Sequence, residues 1–152
     1  MTLHTALIKT EEEKISSEKA KKFILSEENG AESIFIGRVR NENNGKKVIA
    51  VTYDVHDQAV IESFQSICVD AKSKFDKSAR IFLEHAKGYV PVGEISILIA
   101  VGSGHRDEAF KICRYILEEI KHKSPIWKKE HYIEGNEQWL PGHSLRPKEE
   151  IK

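Results

Sequence analysis

The sequence predicts an α+β domain with largely antiparallel strands. Two long segments, 58–75 and 105–123, repeat apolar residues at three and four positions, the period of a helix with one buried face. Shorter runs at 32–40, 48–55 and 94–102 are rich in β-branched and aromatic residues, the composition of strands. No tract of Gly, Ser or Pro reads as a linker, so the 152 residues form a single domain, 1–152, large enough to bury one continuous core. The stretch from about 140 to 152 is expected to be a flexible or partner-contacting tail.

In chain order, LHTALIK (3–9) is a short strand. Ser16 or Ser17 caps a helix through EKAKKFILSEEN, and Gly30 supplies its C-terminal stop. ESIFIGRVR (32–40) is a strand whose Gly37 marks a bulge or a close backbone approach. NENNGKK (41–47) is a turn or loop, and VIAVTYDV (48–55) returns to make a hairpin with 32–40. The helix over 58–75 turns Ala59, Val60, Phe64, Ile67, Cys68, Ala71 and Phe75 to one buried face. ARIFLEHA (79–86) is the next strand, GYVPVG (88–93) a turn-rich break, and EISILIAVG (94–102) an apolar central strand. The helix over 105–123 carries Ala109, Phe110, Ile112, Cys113, Ile116, Leu117 and Ile120 on its stripe. Ser124-Pro125 ends it, because the residue before proline avoids the helical region. IWKKEHYI (126–133) is the last strand, followed by a terminal loop.

Charge narrows the function. Lys+Arg and Asp+Glu both number 24, so no bulk field gathers nucleic acid or an anionic membrane, and any anion must be met by a local cluster. No apolar run reaches the roughly 18 residues of a membrane helix. The N-terminus turns acidic before a signal-peptide core forms, which predicts a cytoplasmic protein. Cys68 and Cys113 stand far apart in apolar-periodic segments and read as buried, reduced thiols. No spacing of ligands predicts a metal, and no motif predicts a cofactor.

Three places put positive charge at the end of an element. Arg38 and Arg40 fall on one side of the strand 32–40 by alternation. In GSGHRDEAF (102–110) a glycine-flanked turn delivers His105 and Arg106 to the start of a helix, where free N–H groups and the dipole favour an anion. Lys121 lies on the margin of the buried stripe near the end of that helix, and Lys128 and Lys129 follow in the next strand. Each place has a plain structural reading: solvated edge arginines, a Ser103 cap, lysines complementing a helix C-terminus. Gathered together they make a pocket for an anionic small molecule, with arginines on a phosphate and crowded lysine amines available for acid–base work.

Three stretches carry a family resemblance: FIGRVRN (35–41), VGSGHRDEAF (101–110) and IKHKSPIWKKE (120–130). In that order and spacing the sequence resembles the catalytic (large) subunit of molybdopterin synthase, over about residue 30 to Trp139. The resemblance implies an α/β hammerhead-type fold and a sulfurtransferase of molybdenum cofactor biosynthesis. It implies a homodimer of this chain within a heterotetramer, each end holding a small ubiquitin-like sulfur-carrier subunit with a C-terminal Gly-Gly thiocarboxylate. The substrate implied is cyclic pyranopterin monophosphate, which receives sulfur twice to form the molybdopterin dithiolene. The family's substrate-binding positions fall on Arg38, Val39, Arg40, His105, Arg106, Lys129 and Glu130, and its catalytic lysines on Lys121 and Lys128. Some relatives place an arginine near His143, a role that Arg146 could take here. Sulfur arrives on the partner, so no catalytic cysteine is needed. Alternation predicts that Lys128 and Lys129 point apart, with Lys128 beside the chemistry and Lys129 peripheral. The alternative function is a non-catalytic module binding a phosphorylated ligand or an acidic peptide tail.

Overall fold

The computed structural model describes residues 1–133 and the strand 137–139. The elements run β1 (Leu3–Lys9), α1 (Ser17–Ile24), β2 (Ala31–Arg38), β3 (Glu42–Asn43), β4 (Lys46–Val55), α2 (Asp57–Phe75), β5 (Arg80–Pro91), β6 (Ile95–Ser103), α3 (Arg106–Lys123), β7 (Ile126–Tyr132) and β8 (Glu137–Trp139). The main path of the sheet is β2-β6-β5-β4-β7-β8, antiparallel throughout, with β1 added parallel to β5 and β3 antiparallel to β4. The predicted α+β class with mainly antiparallel strands is what the chain adopts.

One strand joins two half-sheets. The first half of β5, from Arg80 to His85, pairs with β6, while Gly88 to Pro91 pairs with β4. Gly88 has φ +84, a backbone state open to glycine, so the strand bends there without ending. The turn-rich break expected at 88–93 is therefore mostly strand, and the turn proper sits at Gly93 (φ +88) ahead of β6. This bent, shared strand gives the hammerhead-type arrangement that the resemblance implied.

Two further expectations are corrected. β2 does not pair with β4; it pairs with β6, from Ala31↔Ser103 to Arg38↔Ile95. The buried strand β6 needs hydrogen-bond partners on both edges, and that demand overrides the nearness of β2 and β4 in sequence. The local hairpin is only β3–β4, closed by Asn44 (φ 51) and Gly45 (φ 78), the left-handed pair of a type I′ turn. Ser16 does cap α1, its hydroxyl accepting from Lys19 N–H, but the helix stops at Ile24 rather than near Gly30. The Asn29 amide donates to the Ile24 carbonyl and satisfies one helix-end acceptor. At Gly37 both expected features are present. The register shifts between Gly37 and Arg38, and a Cβ there would meet the Ile97 side chain at 2.7 Å.

Helices cover both faces of the first half-sheet. Alternation along β5 sends Phe82 to Phe23 of α1 and His85 to Phe64 of α2. α3 packs on β2, β6 and α2. Between the layers Phe64, Leu83, Leu98, Ile99, Ile112, Ile116 and Ile126 are wholly buried. Cys68 and Cys113 are buried and free, and burial pushes the Cys68 thiol up to about 12. Among the described residues no helix is long and apolar enough to cross a membrane.

Candidate functional site

β7 builds the site by alternation. Ile126, Glu130 and Tyr132 turn inward and are buried, and Lys128 lies between them on the same face. Trp127, Lys129 and His131 take the other face, where Thr52 hydrogen-bonds His131 at 2.7 Å. The two adjacent lysines do point apart.

Lys128 stands opposite Tyr53 of β4. Desolvation pulls its amine below the usual lysine value. The Glu130 carboxylate pushes it back up, and the cations Arg40 and Lys121 push it further down. That mutual influence places the end of the β2–β3 connection, the end of α3 and the middle of β7 around one spot. Glu130 is held rigidly: Asn43 Nδ2 donates to its Oε1 at 2.7 Å, and the Tyr132 hydroxyl donates to the same oxygen at 2.8 Å. Burial first, and Glu130 second, push the Tyr132 hydroxyl up to about 12, so it stays a donor.

Tyr53 and His85 form the floor. Their rings meet edge-on with centroids 5.0 Å apart. Burial holds the His85 imidazole down at about 4, against the Ala86 carbonyl that favours its charge; the nearby Lys128 cation depresses it further. The ring is therefore neutral near pH 7. Nδ1–H donates to the Ala86 carbonyl at 2.7 Å, which leaves Nε2 as the acceptor. Neither His85 nor Tyr53 was singled out from sequence. The available signal was a histidine and a tyrosine inside otherwise apolar strands.

The other predicted residues divide. Arg38 ends β2 and donates from Nη1 to the Gly93 carbonyl at 2.8 Å. The Val39 side chain is buried, and its backbone bonds Glu94 and Gly93, so it anchors the two arginines flanking it. Lys129 lies opposite Thr52, away from the Lys128 face. His105 and Arg106 do not join the group. Both are exposed at the N-terminal end of α3, and Arg106 is about 22 Å along the helix axis from Lys121 at 1.5 Å per residue. Ser103 does not cap α3 either; His105 is the N-cap residue, without a side-chain cap bond. His143, Arg146 and the tail at 140–152 lie outside the described residues. Among the described residues no group of three or more His, Cys, Asp or Glu is placed to hold a metal.

A site of this kind can hold a small anion between Arg40 and Lys121 and offer Lys128 as a proton carrier beside it.

Comparison with known proteins follows the same lines. The family model described as MoaE protein matches residues 10–123. A protein of Synechococcus elongatus named molybdopterin synthase catalytic subunit is 40% identical over 126 residues, 83% of this chain and 76% of that one. A Dictyostelium discoideum protein of the same name is 39% identical over 120 residues, 78% of this chain and 76% of its own. The crystal structure of molybdopterin synthase from Staphylococcus aureus superimposes with a TM-score of 0.82 at 27% identity, over 93% of this chain and 98% of the other. A complex of subunits 1 and 2 of molybdopterin-converting factor from Helicobacter pylori shares the fold, with a TM-score of 0.71 at 21% identity over 95% and 93% of the two chains. The chain belongs to the MoaE protein family.

Proposed function

We propose that this chain is the catalytic subunit of a molybdopterin synthase, working in the cytoplasm on cyclic pyranopterin monophosphate. The observation that carries the reading is the Lys128 amine, depressed by burial and set among Arg40, Lys121 and Glu130, in a member of this family. A small carrier subunit brings sulfur on a C-terminal Gly-Gly thiocarboxylate, and its anionic tail lies against Lys121. In each of two transfers one sulfur moves to a side-chain carbon of the pterin, oxygen leaves that carbon, and the carrier's terminus becomes a carboxylate. Lys121 and Lys128 exchange the protons that these displacements require, and the lowered pKa of the Lys128 amine suits it to both sides of a proton transfer. Arg38 and Arg40 hold the cyclic phosphate, with Val39 as their anchor, and Glu130 keeps Lys128 in place. Lys129 serves at the periphery.

His105 and Arg106 join this site from a second copy of the chain. Arg106, Phe110, Leu117 and Lys121 lie along one stripe of α3, and the stripe is symmetric about its middle. Arg106 precedes that middle by as much as Lys121 follows it, and the same holds for Phe110 and Leu117. A twofold axis across the helix therefore sets Arg106 of one protomer beside Lys121 of its partner. The face is apolar enough to be covered. Phe110 is 65% exposed, and with Phe35, Leu117 and Phe75 it lines a groove of about 680 Å³.

The test is reconstitution of the chain with a thiocarboxylated carrier and cyclic pyranopterin monophosphate, read as dithiolene formation. K121A and K128A are expected to abolish product while the carrier still binds. No product from the wild-type chain with a competent carrier sinks the proposal. Loss of carrier binding alone in K121A favours the non-catalytic module.

A further inference from the structure

The turn that delivers His105 and Arg106 is gripped from a distant part of the chain. Asp76 directly follows α2 as its C-cap residue, with its N–H on the Lys72 carbonyl at 3.1 Å. Its carboxylate reaches across to the end of β6. The Ser103 hydroxyl donates to Oδ2 at 2.5 Å, and the Gly104 N–H donates to the carboxylate as well. Ser78 supplies two more donors to Oδ1, hydroxyl at 2.8 Å and N–H at 3.0 Å. Partial burial disfavours the charge, yet these donors together hold the carboxyl below its usual range.

Nothing about α2 asks for an acid here. A carboxylate at the C-terminal end of a helix opposes the helix dipole. Its donors explain it: two of them, Ser103 and Gly104, come from the turn immediately before His105. The far side of that turn is equally fixed. A Cβ on Gly30 would stand 2.9 Å from the Gly104 carbonyl oxygen, and one on Gly102 would stand 2.7 Å from the Ile24 carbonyl oxygen. The 25–30 segment thus presses on the turn from one side while Asp76 pulls on it from the other.

We propose that Asp76 is a positioning residue for the His105–Arg106 pair, its carboxylate clamping the Ser103–Gly104 turn so that α3 presents the pair at a fixed place. The proposal rests on the reading that His105 and Arg106 join the substrate site from a second copy of the chain. It adds a residue far from that pair in sequence, at the C-terminal end of α2.

The test uses D76N in the full chain, reconstituted with thiocarboxylated carrier and cyclic pyranopterin monophosphate. Asparagine keeps the shape of aspartate and removes the charge and one acceptor, and circular dichroism checks that the fold is kept. Expected are a rise of about tenfold in KM for the pterin, a kcat within about twofold of wild type, and faster hydrogen exchange at the Gly104 amide. S103A, which removes one donor and leaves the acid, is expected to move KM and exchange the same way to a smaller extent. In an R106A background D76N is expected to add nothing to KM, because the residue through which it acts is gone. A lowered melting temperature with unchanged KM and unchanged Gly104 exchange overturns the proposal, as does a D76N effect that persists in full in R106A. If R106A alone leaves KM unaltered, the reading of Arg106 as part of the substrate site fails and the positioning role falls with it. The Gly104 exchange rate in D76N then tells that failure apart from failure of the clamp itself.

Discussion

Asn43 and Glu130, far apart in sequence, meet at 2.7 Å and tie the tip of the β3–β4 hairpin to the strand that carries Lys128. The hairpin follows directly on Arg40, so this one hydrogen bond fixes the approach of an arginine to a lysine on another element. Glu130 is only 5% exposed, and the Tyr132 hydroxyl also donates to it. N43A is expected to lower stability by about 1–3 kcal/mol, the cost of a buried acceptor losing a partner, read by urea unfolding. The same variant is expected to raise KM for the pterin; an unchanged KM separates the hairpin from the site.

Lys128 gives a pH dependence of definite sign. Its folded pKa lies below 10.5, so the neutral amine appears at lower pH than for a free lysine, and the rate limb governed by it rises with pH through that lowered value. Arg40 contributes to the lowering and Glu130 opposes it. R40A is therefore expected to move that rising limb of kcat to higher pH, and E130Q to move it to lower pH. Opposite shifts in the two variants are the signature. A common direction removes Lys128 from the profile.

His85 governs acid stability. Its folded pKa is depressed from 6.5 to about 4, so between these values the unfolded chain binds a proton that the folded chain does not. Stability then rises with pH across that window and is lost as pH falls through it, by about 3 kcal/mol for a shift of this size. The difference in unfolding free energy between wild type and H85N is expected to shrink from pH 7 to pH 4. A constant difference refutes the assignment.

Gly30 and Gly104 make a matched pair of probes. G30A drives a methyl to 2.9 Å from a backbone oxygen that cannot move cheaply, and is expected to cost about 1–3 kcal/mol. A Cβ on Gly104 meets nothing within 4 Å, so G104A is expected to be nearly neutral. Equal melting temperatures for the two variants would contradict the packing of the 25–30 segment on the turn.

Twofold pairing through α3 is checked by F110E. Removing the exposed aromatic of the stripe and adding charge is expected to give a monomer by analytical ultracentrifugation and to abolish dithiolene formation. Mixing F110E with a K121A–K128A chain tests nothing further unless dimers form, so the sedimentation result decides.

Much of this protein was legible in its sequence because its elements are locally consistent. The stripe on α3, the stop at Ser124-Pro125 and the alternation of β7 follow from periods of 3.6 and 2.0, which depend on near neighbours alone. The same local rules located Gly37 as a bulge and set Lys128 and Lys129 on opposite faces. Pairing was a different matter. Which strand sits beside β2 depends on how the buried strand β6 satisfies its two edges, a long-range condition with no local signature. So does the division of the site: Arg40 in the β2–β3 connection and Lys121 near the end of α3 both act on Lys128 in the middle of β7. Within one chain, His105 and Arg106 sit beyond reach of Lys121 because a helix is a rigid rod of fixed rise. Local patterns set the elements and the chemical groups they carry. Which of those groups meet depends on burial, hydrogen-bond satisfaction and helix length, which act between residues that no local pattern connects.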